Sequence, residues 1–431
     1  MILRTTLPAA RLLLLFALFA AIFLGYFSIR NARATHAVEL NTRAGYEQAV
    51  RLEPGSAYNW LQLGRFYQND LEQADPAAAR RALLAARRLD PLSSEVLLEL
   101  AANYDEAGNT EDARAAYQDA KRVYPFSADV LWSYGNFLLR QREIPAAFSE
   151  IHSALQLDPK RSAEAFSRCH RFVPDDSEIL DKVIPQNLDA YLDIIRDLTN
   201  ANQLDDALTV WSRANALPDL LNLLDVTPLT VALLQSNRTG DATRLWQQAT
   251  AKMKSPPPPD SGGSILWDGG FESSFRYGGL GWHFDSGARG VQVSFDAQEK
   301  HSGAQSLRLV FTGHSNLQYS DVCHSVVVEP GRAYQFSAWI QTKSLTSDEG
   351  LRFMLYSRSQ GKAVVAFTPE VHGDAPWTNV ALAWKAGPDT NLVSVCAARS
   401  QSGSSDGEIA GAAWIDDVTL TPVPGAGHAK R

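Results

Sequence analysis

Four prolines set the frame for the first half of this chain. Pro54, Pro91, Pro125 and Pro159 follow one another at intervals of 37, 34 and 34 residues. An alanine stands five positions before each (Ala49, Ala86, Ala120, Ala154), and Leu52, Leu89, Val123 and Leu157 stand two positions before. Between the prolines apolar residues recur at three- and four-residue steps, which is helical periodicity. A helical pattern with a fixed period of this size implies stacked units, each burying its face against the next.

Within each unit the large and small residues keep fixed places. YNWLQLGRFY sets Trp60, Leu63, Gly64 and Tyr67 at a W-x2-L-G-x2-Y spacing. Leu97, Leu100, Ala101 and Tyr104 fill the same places in the second unit, and Leu131, Tyr134, Gly135 and Leu138 in the third. The small residue lets two helices cross closely, while the large ones fill the seam between neighbours. A 34-residue helical unit of this kind resembles the tetratricopeptide repeat. The resemblance implies a concave surface that takes a protein partner, bound from the first helix of each repeat. Carried onto this chain, the partner-binding positions are Tyr58, Arg65, Gln68, Asp105, Trp132 and Asn136, beside Leu61, Glu95, Leu98, Ala102, Asp129 and Leu139. The paired lysines and asparagines that clamp a peptide carboxylate are missing from this set.

Residues 161–254 keep a fainter echo. NANQLDDALTVW (200–211) aligns with QSNRTGDATRLW (235–246), matching Asn202 with Asn237, Ala207 with Ala242 and Trp211 with Trp246. This reads as degenerate helical repeats closing the solenoid, with Pro174, Pro185, Pro218 and Pro228 in its turns.

Ahead of the repeats, the run from Leu12 to Ile29 has no charged residue and is flanked by Arg11 and Arg30. It has about the length that the hydrocarbon core of a bilayer requires of a helix. The sequence points to an uncleaved single-pass anchor. The alternative is a signal peptide cut after Ala32-Arg33-Ala34. Arginines lie on both sides, so the positive-inside rule does not orient the segment.

SPPPPDSGG (255–263) joins a stiff polyproline stretch to a flexible tail, and the pattern then changes. Short apolar or alternating runs, SLRLVF, SVVVEP, AYQFSAWI, LRFMLY, KAVVAF, NVALAWKA, LVSVCAA and AAWIDDVTLTPV, alternate with Gly, Asp, Ser and Pro clusters. Strands so spaced point to an antiparallel sandwich. In AYQFSAWI, period two sets Tyr334, Phe336, Ala338 and Ile340 on a core face, with Gln335, Ser337 and Trp339 opposite. In LRFMLYSR, Phe353 and Leu355 are core-like, while Arg352, Tyr356 and Arg358 share the polar face. Asp416 and Asp417, adjacent in a strand, are expected on opposite faces.

GGFE, GW, HSGAQSLRL, VEPGRAYQFSAWI, PW and WIDDVTL occur in that order over 264–423. The series resembles the jelly-roll carbohydrate-binding modules of families four and nine, with Trp267-Asp268 replacing the usual Asn before Gly-Gly. The resemblance implies that the first and last strands lie side by side. It implies one structural calcium there, held by Glu272, Asp416 and the Gly270 carbonyl, with another carbonyl just before His301-Ser302-Gly303. Hard oxygen donors suit that ion. It places Tyr319 near a binding aromatic and Trp282 and Trp377 in the framework. Sugar rings pack on aromatic faces beside hydrogen-bonding groups, so the carbohydrate-binding candidates are Tyr319, Trp339 and Tyr356, with Arg352 and Gln335 as partners.

Cys323 and Cys396 both fall on expected strands, and their pairing is left open; Cys169 stands apart. The net charge of −8 and the lack of a basic block argue against nucleic acid. No HExxH, Walker loop or GxGxxG motif occurs, and no catalytic residues are assigned. The fold class expected is multidomain: an N-terminal transmembrane helix, an all-α tetratricopeptide-type solenoid, then an all-β jelly-roll sandwich. Its expected parts are a cytoplasmic stub and anchor (1–36), repeats (37–160), degenerate helical repeats (161–254), a linker (255–263), the sandwich (264–423) and a flexible tail (424–431). The function expected is a non-enzymatic adaptor of the bacterial inner membrane, its soluble domains extracytoplasmic, meeting a protein through the solenoid and a polysaccharide through the sandwich. The alternative is a pure protein scaffold whose sandwich no longer binds sugar.

Overall fold

The computed structural model describes residues 7–254, 256, 261–273, 278–284, 290–313, 315–358, 363–404 and 407–424. The start of the stub, most of the Pro-rich linker and nearly all of the tail lie outside the described residues. Two compact units emerge, Met1–Pro185 and Gln186–Arg431.

The first unit is all helical: α1 (Leu7–Glu39), α2 (Arg43–Leu52), α3 (Ala57–Asn69), α4 (Pro76–Leu89), α5 (Ser94–Glu106), α6 (Thr110–Val123), α7 (Ala128–Arg140), α8 (Ile144–Leu157), α9 (Ser162–His170) and α10 (Asp176–Lys182). The period has a local cause. Two residues beyond each of the first three repeat prolines, Ser56, Ser93 and Ser127 cap the following helix, each hydroxyl accepting the N–H three residues on. Ala49, Ala86, Ala120 and Ala154 are buried. At Gly135 a Cβ would stand 2.6 Å from Ile151 Cγ1, and at Gly64 2.7 Å from a Leu83 methyl, so a side chain at either crossing would displace its neighbour. The helix α1 is long and apolar enough to cross a membrane. It continues without a break through Ala32–Ala34, and Ala34 and Ala37 are buried.

In the second unit α11 (Leu188–Asn200), α12 (Leu204–Ala216), α13 (Leu223–Gln235) and α14 (Thr239–Thr250) precede the strands. The 35-residue echo is structural. Asn202 and Asn237 take φ of 57° and 59° in equivalent helix–helix turns, and Trp211 and Trp246 are both buried. Pro228 differs from expectation: it lies inside α13 rather than in a turn. These helices pack with the sandwich within the second unit. Trp246 meets Trp267 edge-on at 5.8 Å, and a Cβ on Gly279 would stand 2.8 Å from the Trp246 ring. Asn391 Nδ2 donates to Asn237 Oδ1 at 2.7 Å.

The strands are β1 (Trp282–His283), β2 (Val291–Asp296), β3 (Ser306–Thr312), β4 (Tyr319–Val327), β5 (Ala333–Leu345), β6 (Arg352–Ser357), β7 (Ala363–Phe367), β8 (Gly373–Lys385), β9 (Leu392–Arg399) and β10 (Ala410–Pro422). They form two five-stranded sheets, β1-β4-β9-β6-β7 and β2-β3-β10-β5-β8, with every pairing antiparallel. From β3 onward the chain alternates between sheets except at the β6–β7 hairpin, which fits the jelly-roll arrangement. The core between them includes Phe336, Ile340, Phe353, Leu355, Val393, Val395 and Ile415. All eight anticipated strands are present; β1 and β2 are additional. Cys323 and Cys396 lie directly opposite on β4 and β9 and are disulfide-bonded, with Cα atoms 4.1 Å apart.

Candidate functional site

The opening segment of the sandwich runs beside its last strand. Ile265 N–H donates to the Leu420 carbonyl and Val418 N–H to the Gly269 carbonyl, each at 2.9 Å. Asp268, Phe271 and Asp417 all take positive φ (58°, 55° and 47°), so the chain turns sharply where GGFE meets IDD. Asp268 anchors that turn by accepting from the Glu272 and Ser273 N–H groups.

Around this junction the acidic groups converge on the turn after β2. Asp416 is fully buried, and its Oδ2 accepts the N–H groups of His301 (2.8 Å) and Ser302 (3.0 Å). Glu272 accepts the Ala304 N–H at 2.8 Å. Asp417 accepts from Ser302 Oγ (2.7 Å) and pairs with His301 Nδ1 (2.6 Å). Asp416 and Asp417 were expected on opposite faces. The register of β10 shifts between Asp416 and Thr419, and this bulge brings both carboxylates onto one turn. Burial is the main cause that pushes Asp416 up to about 6, with the charge of Asp417 adding to it.

Glu272, Asp416 and Gly270 therefore meet. A Cβ built on Gly270 would have Glu272 Oε1 at 3.8 Å and Asp416 Oδ1 at 3.9 Å. Two carboxylates beside a glycine backbone are the hard oxygen chemistry that calcium takes. No cluster of three or more His, Cys, Asp or Glu side chains suited to a metal occurs among the described residues, so backbone oxygens would have to complete the shell. Ser302, His301 and Asp417 also meet, but the hydroxyl donates to the carboxylate and not to the imidazole. That order poises no base on a nucleophile.

The five carbohydrate-binding candidates are not brought together. Tyr319 is 1% exposed and sits between the sheets, against Phe311; the bulge in β4 after Tyr319 turns it inward. Trp339 and Gln335 lie on the outer face of the β5-containing sheet, while Tyr356 and Arg352 lie on the outer face of the other. The ring of His301 stacks on Trp339 at 4.0 Å. Trp377, expected in the core, lies beside them, edge-on to His301 at 5.6 Å. Trp282 is buried as expected.

On the β6–β7 side the registers form rows. Cys323, Cys396, Met354 and Phe367 stand in one row, and Ser325, Ser394, Tyr356 and Val364 in the next. The disulfide end is buried, whereas Val364 is 49% and Phe367 58% exposed. Arg352 lies 5.8 Å from the Phe367 ring and is held by Glu349 and Glu370. Phe367 and Val364 were not singled out in sequence. KAVVAF reads as a strand there, but only pairing with β6 shows which residues face outward beside Tyr356.

On the repeats, Tyr58 is 59% exposed, but Trp132 and Asn136 are buried. Arg65 pairs with Glu99 at 2.6 Å, Asp105 with Arg140 at 2.6 Å, and Asn136 accepts from Arg168 at 3.2 Å. Each contact joins one repeat to the next along the first helices. Trp132 sits under the guanidinium groups of Arg161 and Arg168. Gln68 has a buried Oε1 with no partner.

The tetratricopeptide-repeat family model matches residues 98–162, which span α5 to the start of α9. No curated protein matches the chain. Among solved structures it is similar to MamA at 18% identity over 40% of this chain and 84% of that one, TM-score 0.26. It is similar to YrrB, described as a TPR protein with an unusual peptide-binding site, at 13% identity over 49% and 93%, TM-score 0.26. It is also similar to a xylan-binding domain from Paenibacillus barcinonensis at 17% identity over 39% and 100%, TM-score 0.28.

Proposed function

We propose that this chain is a non-enzymatic, membrane-anchored adaptor of the bacterial envelope, its repeats holding a protein partner and its sandwich a glycan. The adaptor would serve assembly or export of an extracellular polysaccharide. The observation that carries the glycan reading is the open patch of Met354, Tyr356, Val364 and Phe367 on one outer face of the jelly roll. Apolar rings in such a patch pack against sugar faces, and the Glu349–Arg352–Glu370 group beside them can bond hydroxyls. Stacked repeats present extended surfaces for protein partners, and Tyr58, 59% exposed, is an open aromatic among the positions assigned to one.

Two features support the anchor and the compartment. The candidate cleavage stretch Ala32–Ala34 is helical, and Ala34 is packed away, which favours retention of α1. The Cys323–Cys396 disulfide suits an oxidising compartment outside the cytoplasm. We assign a structural calcium to Glu272, Asp416 and the Gly270 carbonyl, where it would offset the burial of Asp416.

The test is a glycan array probed with the full chain in a detergent that carries no sugar. Binding that is lost in Tyr356→Ala and Phe367→Ala supports the reading. No binding to any polysaccharide, with both variants folded, removes the glycan half and leaves a protein scaffold.

A further inference from the structure

Outside α1, most of the exposed large apolar residues of the first unit lie near one edge, with Leu40 and Leu71 on the other. Leu89, Leu92, Tyr124, Phe126 and Leu157 are 44, 61, 38, 85 and 47% exposed. Each lies within two residues of Pro91, Pro125 or Pro159, in or beside the turns between successive repeats. None of the five belongs to the clusters around Leu63, Leu83 and Val130 that hold the repeats together.

The direction of α1 says what this edge faces. The apolar run ends at Ile29, and Ala34 and Ala37 are buried against α2. A Cβ on Gly45 would clash with the Ala37 carbonyl, so α2 starts directly beside the last turns of α1. The turn between them spans residues 40–42, and so short a connection makes the two helices antiparallel neighbours. Ten residues of α2 cover about 15 Å, which returns Leu52 to the level of Arg30. The turn at 53–56 therefore sits where the hydrocarbon core gives way to headgroups. Each later hairpin repeats the sense, outward on α3, α5 and α7 and back on α4, α6 and α8. The turns at 90–93 and 124–127 thus share the edge that faces the bilayer. Leu71, 101% exposed in the α3–α4 loop, marks the opposite edge.

We propose that this edge is a lipid-contacting surface, with Leu92 and Phe126 inserted among the headgroups so that the solenoid lies against the membrane rather than swinging from it. The inference rests on α1 being a membrane span. Charge along the edge is balanced. Arg87, Arg88, Lys121 and Arg122 end α4 and α6, but Arg87 pairs with Asp119 and Lys121 with Glu150, and Asp90, Glu95 and Asp129 lie close by in sequence. Contact therefore depends on apolar insertion and not on a polybasic attraction.

The full chain, reconstituted in vesicles of phosphatidylethanolamine and phosphatidylglycerol, provides the test. Leu92→Cys, Phe126→Cys, Leu71→Cys and Ile22→Cys are each labelled with a fluorophore; Cys169 is buried and the other two cysteines are bonded to each other. Lipid-borne nitroxide should quench labels at 22, 92 and 126 several-fold more than the label at 71, with little change as salt is raised. If the label at 22 is quenched while those at 92 and 126 behave like that at 71, the lipid contact is wrong and the anchor stands; the ridge would then be free for a protein. If the label at 22 is also reached only from water, the anchor fails and the proposal falls with it.

Discussion

The imidazole of His301 lies flat on the indole of Trp339, ring centroids 4.0 Å apart and planes 16° from parallel. A face so covered is closed to a sugar ring. Trp339→Ala should therefore leave glycan binding unchanged, in contrast to Tyr356→Ala, and His301→Ala should create affinity if anything. Titration of the three variants with one bound glycan checks this. Loss of binding in Trp339→Ala alone would move the site to the other sheet.

Calcium removal should be visible as a pH effect. Burial raises Asp416 to about 6, whereas an unfolded aspartate titrates near 4. Between those values the unfolded chain releases its proton first, so in chelator the second unit should lose stability as pH rises, by on the order of 2 kcal/mol. Calcium should reverse that slope by binding the ionised pair. Melting curves at pH 4.5 to 7 with and without the ion decide it, and identical curves would exclude the metal.

The cross-strand disulfide closes a long loop, its cysteines 73 residues apart. Loop entropy alone makes its loss worth about 4 kcal/mol. A Cys323→Ala, Cys396→Ala double variant should lower the unfolding midpoint of the second unit and leave that of the repeats unmoved.

His324 predicts a second pH response, of opposite sign. It is buried beside Trp282 and Trp267, and burial lowers it from 6.5 to about 3. The unfolded chain takes up a proton first as pH falls through 6.5, so stability present above that value is lost on acidification. His324→Gln should flatten the decline between pH 6.5 and 5 in denaturant titrations. An unchanged slope would show the ring to be charged or solvated.

Gly135→Ala should destabilise the repeats by about 1–3 kcal/mol through the clash with Ile151, partly offset by the better helix propensity of alanine. Gly240→Ala, with no atom near its Cβ, is the matched control and should be neutral or stabilising.

Whatever repeats or alternates could be read from the residues alone. Prolines and alanines recur at a period that stacked helical pairs satisfy, and period two in AYQFSAWI already separates Phe336 and Ile340 from Trp339. The convergence of Glu272 and Asp416 was legible only through the resemblance that the motif series carries. Tertiary structure decided what depends on departures from regularity and on neighbours. One bulge in β10 moved Asp417 to the side of Asp416, another turned Tyr319 inward, and the turn carrying His301 covered Trp339. Strand order placed Arg352 and Trp339 on opposite outer faces, a fact that no single strand contains. Periodicity fixes which side of an element is apolar; which outer side stays open depends on the segments that fold across it, and those come from distant parts of the chain.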